Sequence, residues 1–167
     1  MKFTISATEL NAKLIALAKV MNSKVALPIY STFLLELKDG VLRITASDMD
    51  CSRCSTLPVI DMDGANGHSE SICVTASFLL DSLKNLGDQP VTFEADEENL
   101  SVVIRYNNGQ FDMVGFPAKD YVLPGTMEKN VKATIEASVL NDSIGKSLYA
   151  VGNDDLRPIF CLSLIHI

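Results

Sequence analysis

Apolar and polar residues alternate from Lys2 to Ser6, and then the period changes. From Ala7 to Asn22, Leu10, Leu14, Leu17 and Met21 recur at the three- and four-residue spacing of a single helical face. The pattern predicts a strand running straight into a helix. The chain then repeats it. Thr4-Ile5-Ser6-Ala7-Thr8-Glu9-Leu10-Asn11 returns as Thr134-Ile135-Glu136-Ala137-Ser138-Val139-Leu140-Asn141. A fainter copy, Cys73-Val74-Thr75-Ala76-Ser77-Phe78-Leu79-Leu80, lies between them. In each copy an alternating strand gives way to Ala and then to Thr8, Ser77 or Ser138 where an N-cap is expected. A hydroxyl there accepts a helix N–H that would otherwise have no partner. Leu79, Leu83 and Leu86 stripe the second helix, and Leu140, Ile144, Leu148 and Val151 the third. Self-similarity on this scale points to one supersecondary unit used three times.

Other elements follow from the same reading. Asn22 to Ile29 is a loop, closed by Pro28, which forbids further helix. Phe33 to Leu37 and Val41 to Thr45 flank Lys38-Asp39-Gly40, and Asp-Gly between apolar runs signals a hairpin. A third strand runs from about Cys51 to Ile60, and Asp61 to Glu70 is a polar loop. The second strand–helix unit spans Ser71 to Gly87. Strands Val91 to Ala95, Leu100 to Tyr106 and Gln110 to Phe116 follow, joined at Glu97-Glu98-Asn99 and Asn107-Asn108-Gly109. Phe116 to Gly125 is irregular, which places a boundary near Gly125 before the next unit opens at Val131. Hairpin-linked strands with helices at matched positions make an α+β layer, not a parallel βαβ sheet.

Composition changes this picture little. With 167 residues the chain can bury one good core and part of a second, and 47% hydrophobic with 21% charged residues is ordinary for a globular protein. No apolar run approaches the roughly 18 residues of a membrane span. The chain opens on a strand and not a leader, so a cytoplasmic location with reduced cysteines is expected. Charge matters more. A net charge of −7 argues against a general nucleic-acid coat. The acids gather in strands and turns, among them Asp48, Asp50, Asp61, Asp63, Glu94, Asp96, Glu97 and Glu98. Lysines stand on the helix faces opposite the leucines. Lys19 accompanies Ala12 and Ala16, Lys84 accompanies Asp81 and Asn85, and Lys146 accompanies Asp142, Gly145 and Tyr149. On one helix that is a solvated face; on three related helices it is a candidate shared surface.

Two chemical readings compete with that surface. Cys51-Ser-Arg-Cys54, His68 and Cys73 have zinc-ligand side chains, but a zinc ribbon pairs two short-spaced knuckles and only one is present. Residues three apart in a strand also point to opposite faces. Buried structural thiols are the expectation, with no metal and no cofactor. Asp48-Met-Asp50 and Asp61-Met-Asp63 each put two carboxylates on one strand face, as a metal-dependent phosphoryl-transfer enzyme would need. No Gly-rich or basic phosphate cradle accompanies them, and acidic strand faces also discourage edge-to-edge pairing. Two histidines and no G-x-S-x-G elbow leave nucleophilic hydrolysis without support.

Met1-Lys2-Phe3-Thr4, Leu27-Pro28-Ile29, Leu42-Arg-Ile-Thr-Ala-Ser-Asp48, Phe116-Pro117-Ala118 through Asp120-Tyr121, and Asp155-Leu156-Arg157 stand in a telling order and spacing. With them the chain resembles the bacterial DNA polymerase III β subunit family, the replicative sliding clamps, over residues 1 to about 160. The resemblance implies the clamp fold, with antiparallel sheets outside and paired helices on the inner face of a head-to-tail dimeric ring around duplex DNA. It implies no catalysis. The ring tethers polymerase and clamp-loader subunits, which dock a peptide between its central and C-terminal domains. Lys24, Lys19, Lys84 and Lys146 are then the expected DNA-binding residues, with Lys13 on the flank. Arg157 would lie near the peptide pocket. Arg105, Phe111 and Met113, on an apolar edge of the last strands, would form the homodimer seam; the alternative for all three is ordinary strand packing.

The chain also departs from that family. Ser77 replaces a basic residue of some relatives, and Asp154, Pro158 and Ile159 stand where some clamps have Gln and a Tyr pair. Phe160-Cys-Leu-Ser-Leu-Ile-His-Ile167 does not resemble the family's next strand. The expectation is a clamp N-terminal domain at 1–125, an incomplete central domain at 126–160, and a non-native tail at 161–167 from a truncated reading frame. Such a piece alone would close no ring, and Leu162, Leu164 and Ile165 would lack a partner.

Overall fold

The leucine stripes decide where the helices lie. A computed structural model of the chain describes residues 1–21, 27–63, 69–125, 133–152, 154 and 156–166. The chain divides into two compact units, Met1–Gly125 and Thr126–Ile167.

In the first unit β1 (Lys2–Ser6) runs directly into α1 (Ala7–Ala18). A short 3-10 turn (Pro28–Ser31) leads to β2 (Thr32–Lys38), β3 (Val41–Ser47), β4 (Ser52–Pro58) and β5 (Asp61–Asp63). Then come β6 (Glu70–Thr75), α2 (Ala76–Leu83), β7 (Pro90–Ala95), β8 (Ser101–Tyr106), β9 (Gly109–Val114) and β10 (Phe116–Pro117). The strands form two five-stranded antiparallel sheets, ordered β5-β1-β7-β8-β9 and β10-β6-β2-β3-β4. Elements β1–β5 and β6–β10 are two copies of one plan: strand, helix, three strands, short strand. Exchanging each element for its counterpart converts one sheet order into the other. Each sheet therefore takes three strands from one half and two from the other.

A single core joins both sheets and both helices. Phe3 and Ile5 of β1, Phe33, Leu35 and Leu37 of β2, and Val91 and Phe93 of β7 alternate inward as the period-two pattern requires. Phe3 and Phe93, opposite each other in the ladder, stack with centroids 5.2 Å apart. Leu10, Leu14 and Leu17 of α1 and Leu79 and Leu83 of α2 are buried in that core, and Met21 and Leu86 pack at its margin. The β2–β3 hairpin turns at Asp39 and Gly40, both with left-handed backbone (φ 49° and 75°), the geometry a two-residue hairpin needs. Gly115 sits where the chain crosses from β9 in one sheet to β10 in the other. A Cβ there would lie 2.9 Å from the Cys73 carbonyl oxygen, so only glycine permits the approach.

Several expectations need correction. The first helix stops at Ala18, not Asn22, because the chain tightens into 3-10 bonds from Val20 and Met21. Thr8 and Ser77 lie inside their helices. The caps are Ser6, whose hydroxyl accepts the Glu9 N–H, and Thr75, which makes no side-chain cap bond. Pro28 opens a helical turn; it does not merely end a loop. Asp61–Asp63 is a strand, paired with β1, where a loop was expected. Phe116–Pro117, expected as a strand end and irregular chain, pairs with β6. The segment after it folds onto its own unit. Tyr30 donates its O–H to the Val122 carbonyl at 2.9 Å, and Tyr121 packs edge-on to Tyr30 beside Leu34 and Cys73.

In the second unit α3 (Ala137–Ser147) leads to a 3-10 turn (Leu148–Ala150), with another at Pro158–Cys161. The strand expected before α3 is unpaired at 133–136, and Ser138 stands inside the helix, capped at Glu136. No described residue of this unit is buried. The Leu140-Ile144-Leu148 stripe is therefore not a core stripe; Leu148 is 60% exposed. Leu162, Leu164 and Ile165 are exposed as well.

Candidate functional site

α1 and α2 pack against one another and bury their leucines in the same core, so their opposite sides adjoin on one face of the first unit. Lys19 and Lys84 are the residues that end these two helices, at corresponding places in the two halves. Both are exposed, and a cation at a helix C-terminus is favoured by the carbonyl dipole. Lys13 is exposed on the α1 flank. Lys13, Lys19 and Lys84 form no ion pair among the described residues, whereas Lys2, Arg43 and Arg105 pair with glutamates. Small and polar residues accompany them: Ala12, Ala16, Asp81 and Asn85. Ser77 lines a cleft of about 280 Å³ between the end of α1, the 28–31 turn and the start of α2. Lys24 lies outside the described residues.

The remaining site expectations fall elsewhere. Lys146, on α3, is exposed and holds Asp142 one turn away at 2.6 Å. Arg157 donates from Nε to Asp154 at 2.8 Å and lies over the Phe160 ring, 5.5 Å from its centroid. Arg105 is exposed on β8, pairs with Glu94 at 3.3 Å and donates to Gln110. Phe111 and Met113 do not make an exposed apolar edge. Both are half-buried against the core, opposite Ile104 and Val102, and Phe111 stacks on Tyr106 at 5.0 Å. The outward residues of β9, itself a sheet edge, are Gln110, Asp112 and Val114.

The competing chemistry finds no assembled site. Asp48 and Asp50 are not on a strand: Asp48 accepts the Asp50 and Cys51 amides in a tight turn, with Met49 left-handed at φ 83°. Asp61 accepts the Met62 amide on β5. Cys51 and Cys54 are exposed and only Cys73 is buried, so the expectation of buried thiols holds for one of the three. Among the described residues no three His, Cys, Asp or Glu side chains are placed to share a metal ion; His68 lies outside them. No described helix is long and apolar enough to cross a membrane.

One basic residue escaped the sequence reading. Arg53 of β4 donates from Nη1 to the Ala16 carbonyl of α1 at 3.0 Å. Its signal was parity: counted back by twos from the buried Leu57, Arg53 falls on the helix side of β4.

Residues 1–124 match the family described as "DNA polymerase III beta subunit, N-terminal domain". The chain is similar to the beta sliding clamp of Bacillus subtilis, 27% identical over 162 residues, covering 95% of this chain and 43% of that protein. It is 26% identical over 160 residues to the beta sliding clamp of Vibrio cholerae, covering 94% and 42%. The chain thus spans less than half the length of these curated relatives. Among solved structures, the DNA polymerase sliding clamp of Bacillus subtilis superposes with a TM-score of 0.81 at 26% identity, over 95% of this chain and 42% of that one. The DNA polymerase III subunit beta of Pseudomonas aeruginosa gives 0.84 at 23%, over 96% and 42%, which speaks to the fold. Two antiparallel sheets backing a helix pair, and a family match over all but the last residue of the first unit, lead to one conclusion: the chain belongs to the DNA polymerase III beta subunit family, through that family's N-terminal domain.

Proposed function

We propose that the chain is the N-terminal part of a DNA polymerase processivity clamp, a non-catalytic ring that encircles duplex DNA. The observation that carries this reading is the joined outer face of α1 and α2 with its flank, where Lys19 and Lys84, and Lys13 beside them, form no ion pair among the described residues while the overall charge is negative. Such a face attracts phosphates without reading bases, through contacts that salt weakens. Exposed lysines on a rigid helix pair hold a duplex loosely enough to slide. Lys24 belongs to the same set by its place before Leu27-Pro28-Ile29, and Lys146 by its place on α3. Residues 126–160 are the opening of a second clamp domain, and Arg157 contributes to a partner-peptide pocket. DNA polymerase and clamp-loader subunits are the partners of the assembled protein, in the cytoplasm. The β9 edge, which pairs with no further strand among the described residues and carries Phe111 and Met113 with Arg105 beside them on β8, is the seam of a homodimer.

A chimaera tests this. The Bacillus subtilis clamp, with residues 1–125 of this chain replacing its own matching domain, should stay on nicked circular duplex after loading and run off once the circle is cut. Charge reversal of Lys19 and Lys84 together should shorten that retention. Equal loss from circles and linear DNA by a folded, dimeric chimaera would overturn the proposal.

A further inference from the structure

The last four carbonyls of α1 have no partner within the helix; those of Leu17 and Ala18 accept the Val20 and Met21 N–H groups beyond it, and the last turn before the Lys19 cap holds no basic residue. One of them, that of Ala16, is met from outside the helix by Arg53. A guanidinium has five N–H donors in a planar fork. Among the described residues Arg53 uses one of them, and the side chain stays exposed. Its position along α1 is specific. Ala16 lies one turn after Lys13 and one turn before Lys19, on the outer face with Ala12. Lys13 and Lys19 are about 9 Å apart along the helix axis, and the Arg53 guanidinium reaches α1 between them. Over that rise one strand of B-DNA carries roughly two to three phosphates.

We propose that Arg53 is a phosphate-contacting residue supplied by the sheet, adding a third cation midway in the arc of about 120° that Lys13 and Lys19 span around α1. One arm of its fork holds the helix carbonyl, and the remaining donors are presented to the DNA backbone between Lys13 and Lys19. This rests on the clamp reading of the helix face. It adds a contact from β4 to a surface otherwise built from helices. It also explains why an arginine suits the position. Lysine is a point charge on a flexible stem, whereas the fork serves helix and phosphate together and is held in place by the first bond.

The test is a titration of the whole chain, with arginine side chains nitrogen-labelled, by a short duplex at low ionic strength. The Arg53 Nε–H resonance should move along the same binding curve as the backbone amides of residues 12–19. Arg53→Met should lower the slope of log affinity against log salt by about 0.9, the loss of one phosphate contact, and Arg53→Lys should restore most of it. Amide exchange of residues 16–20 reports helix capping separately. If the α1 amides respond to DNA but the Arg53 resonance does not, Arg53 is a helix cap only and the inference falls while the clamp reading stands. An unchanged salt slope in Arg53→Met, with faster exchange at 16–20, overturns it in the same way. If no resonance on the α1–α2 face responds, the DNA reading of that face fails. Should Arg53→Met not fold, the wild-type resonance still decides.

Discussion

Three cysteines in two strands and a turn experience opposite surroundings. Cys51 and Cys54 are exposed, whereas Cys73 is buried under Tyr121 and Leu34. Burial pushes the Cys73 thiol from its ordinary 9.0 up to about 11, against the pull of a Thr32 hydrogen bond and helped by Asp120 and Glu36. Burial likewise raises Tyr121 from 10.0 to about 12. Both groups are neutral when protonated, so folding favours the protonated form. Their contribution is complete below the unfolded values and is lost as pH rises through the folded ones. Urea unfolding should therefore show stability falling between pH 9.0 and about 11, and falling less in Cys73→Ala. At neutral pH a thiol reagent should modify Cys51 and Cys54 at once and Cys73 only on unfolding; fast labelling of Cys73 would contradict the packing. Residue identity announced none of this. A thiol in a period-two strand reads the same whether its face is covered by the next segment or left to water.

At the scale of the element, the helices were legible and their ends were not. Spacing alone located Leu10, Leu14 and Leu17, which the core buries almost completely. Leu14→Ala should cost roughly 2–5 kcal/mol, because the site is sealed on all sides. Its neighbour Ile15, 52% exposed, should change stability by no more than about 0.5 kcal/mol when cut to alanine. Chemical denaturation of the two variants checks the orientation of α1, and similar losses would show the stripe misplaced. The caps were misread because Thr8 and Ser77 are good cap residues by type, while the strand geometry carries the switch two positions earlier, at Ser6 and Thr75. β5 and β10 were missed for another reason. Three residues and two residues contain no period, so only their partners, β1 and β6, make them strands. The cationic face was legible as far as it lies on helices. Arg53 joins it through a long-range contact that no local pattern encodes.

For the whole molecule, the repeated octapeptide pointed to recurrence but not to its symmetry. Two of the copies open the halves of the first unit, β1–α1 and β6–α2, and the third runs into α3, which buries no residue among those described. Sequence similarity cannot reveal that each half gives its first and last strands to the other's sheet, because strand exchange is a property of the pairing and not of the strands. That exchange has a consequence for folding. Residues 1–63 lack three of the strands that complete the sheet of β1, and residues 69–125 lack the three beside β6, so neither piece can satisfy its own hydrogen bonds or cover its own leucines. Produced as separate polypeptides, the two should each be largely unstructured by circular dichroism and should regain sheet and helix signal together when mixed at equal concentration. A native-like spectrum from either piece alone would mean that the halves are self-sufficient; recovery only on mixing would mean that covalent continuity between β5 and β6 is dispensable, and that the fold is in effect a heterodimer on one chain.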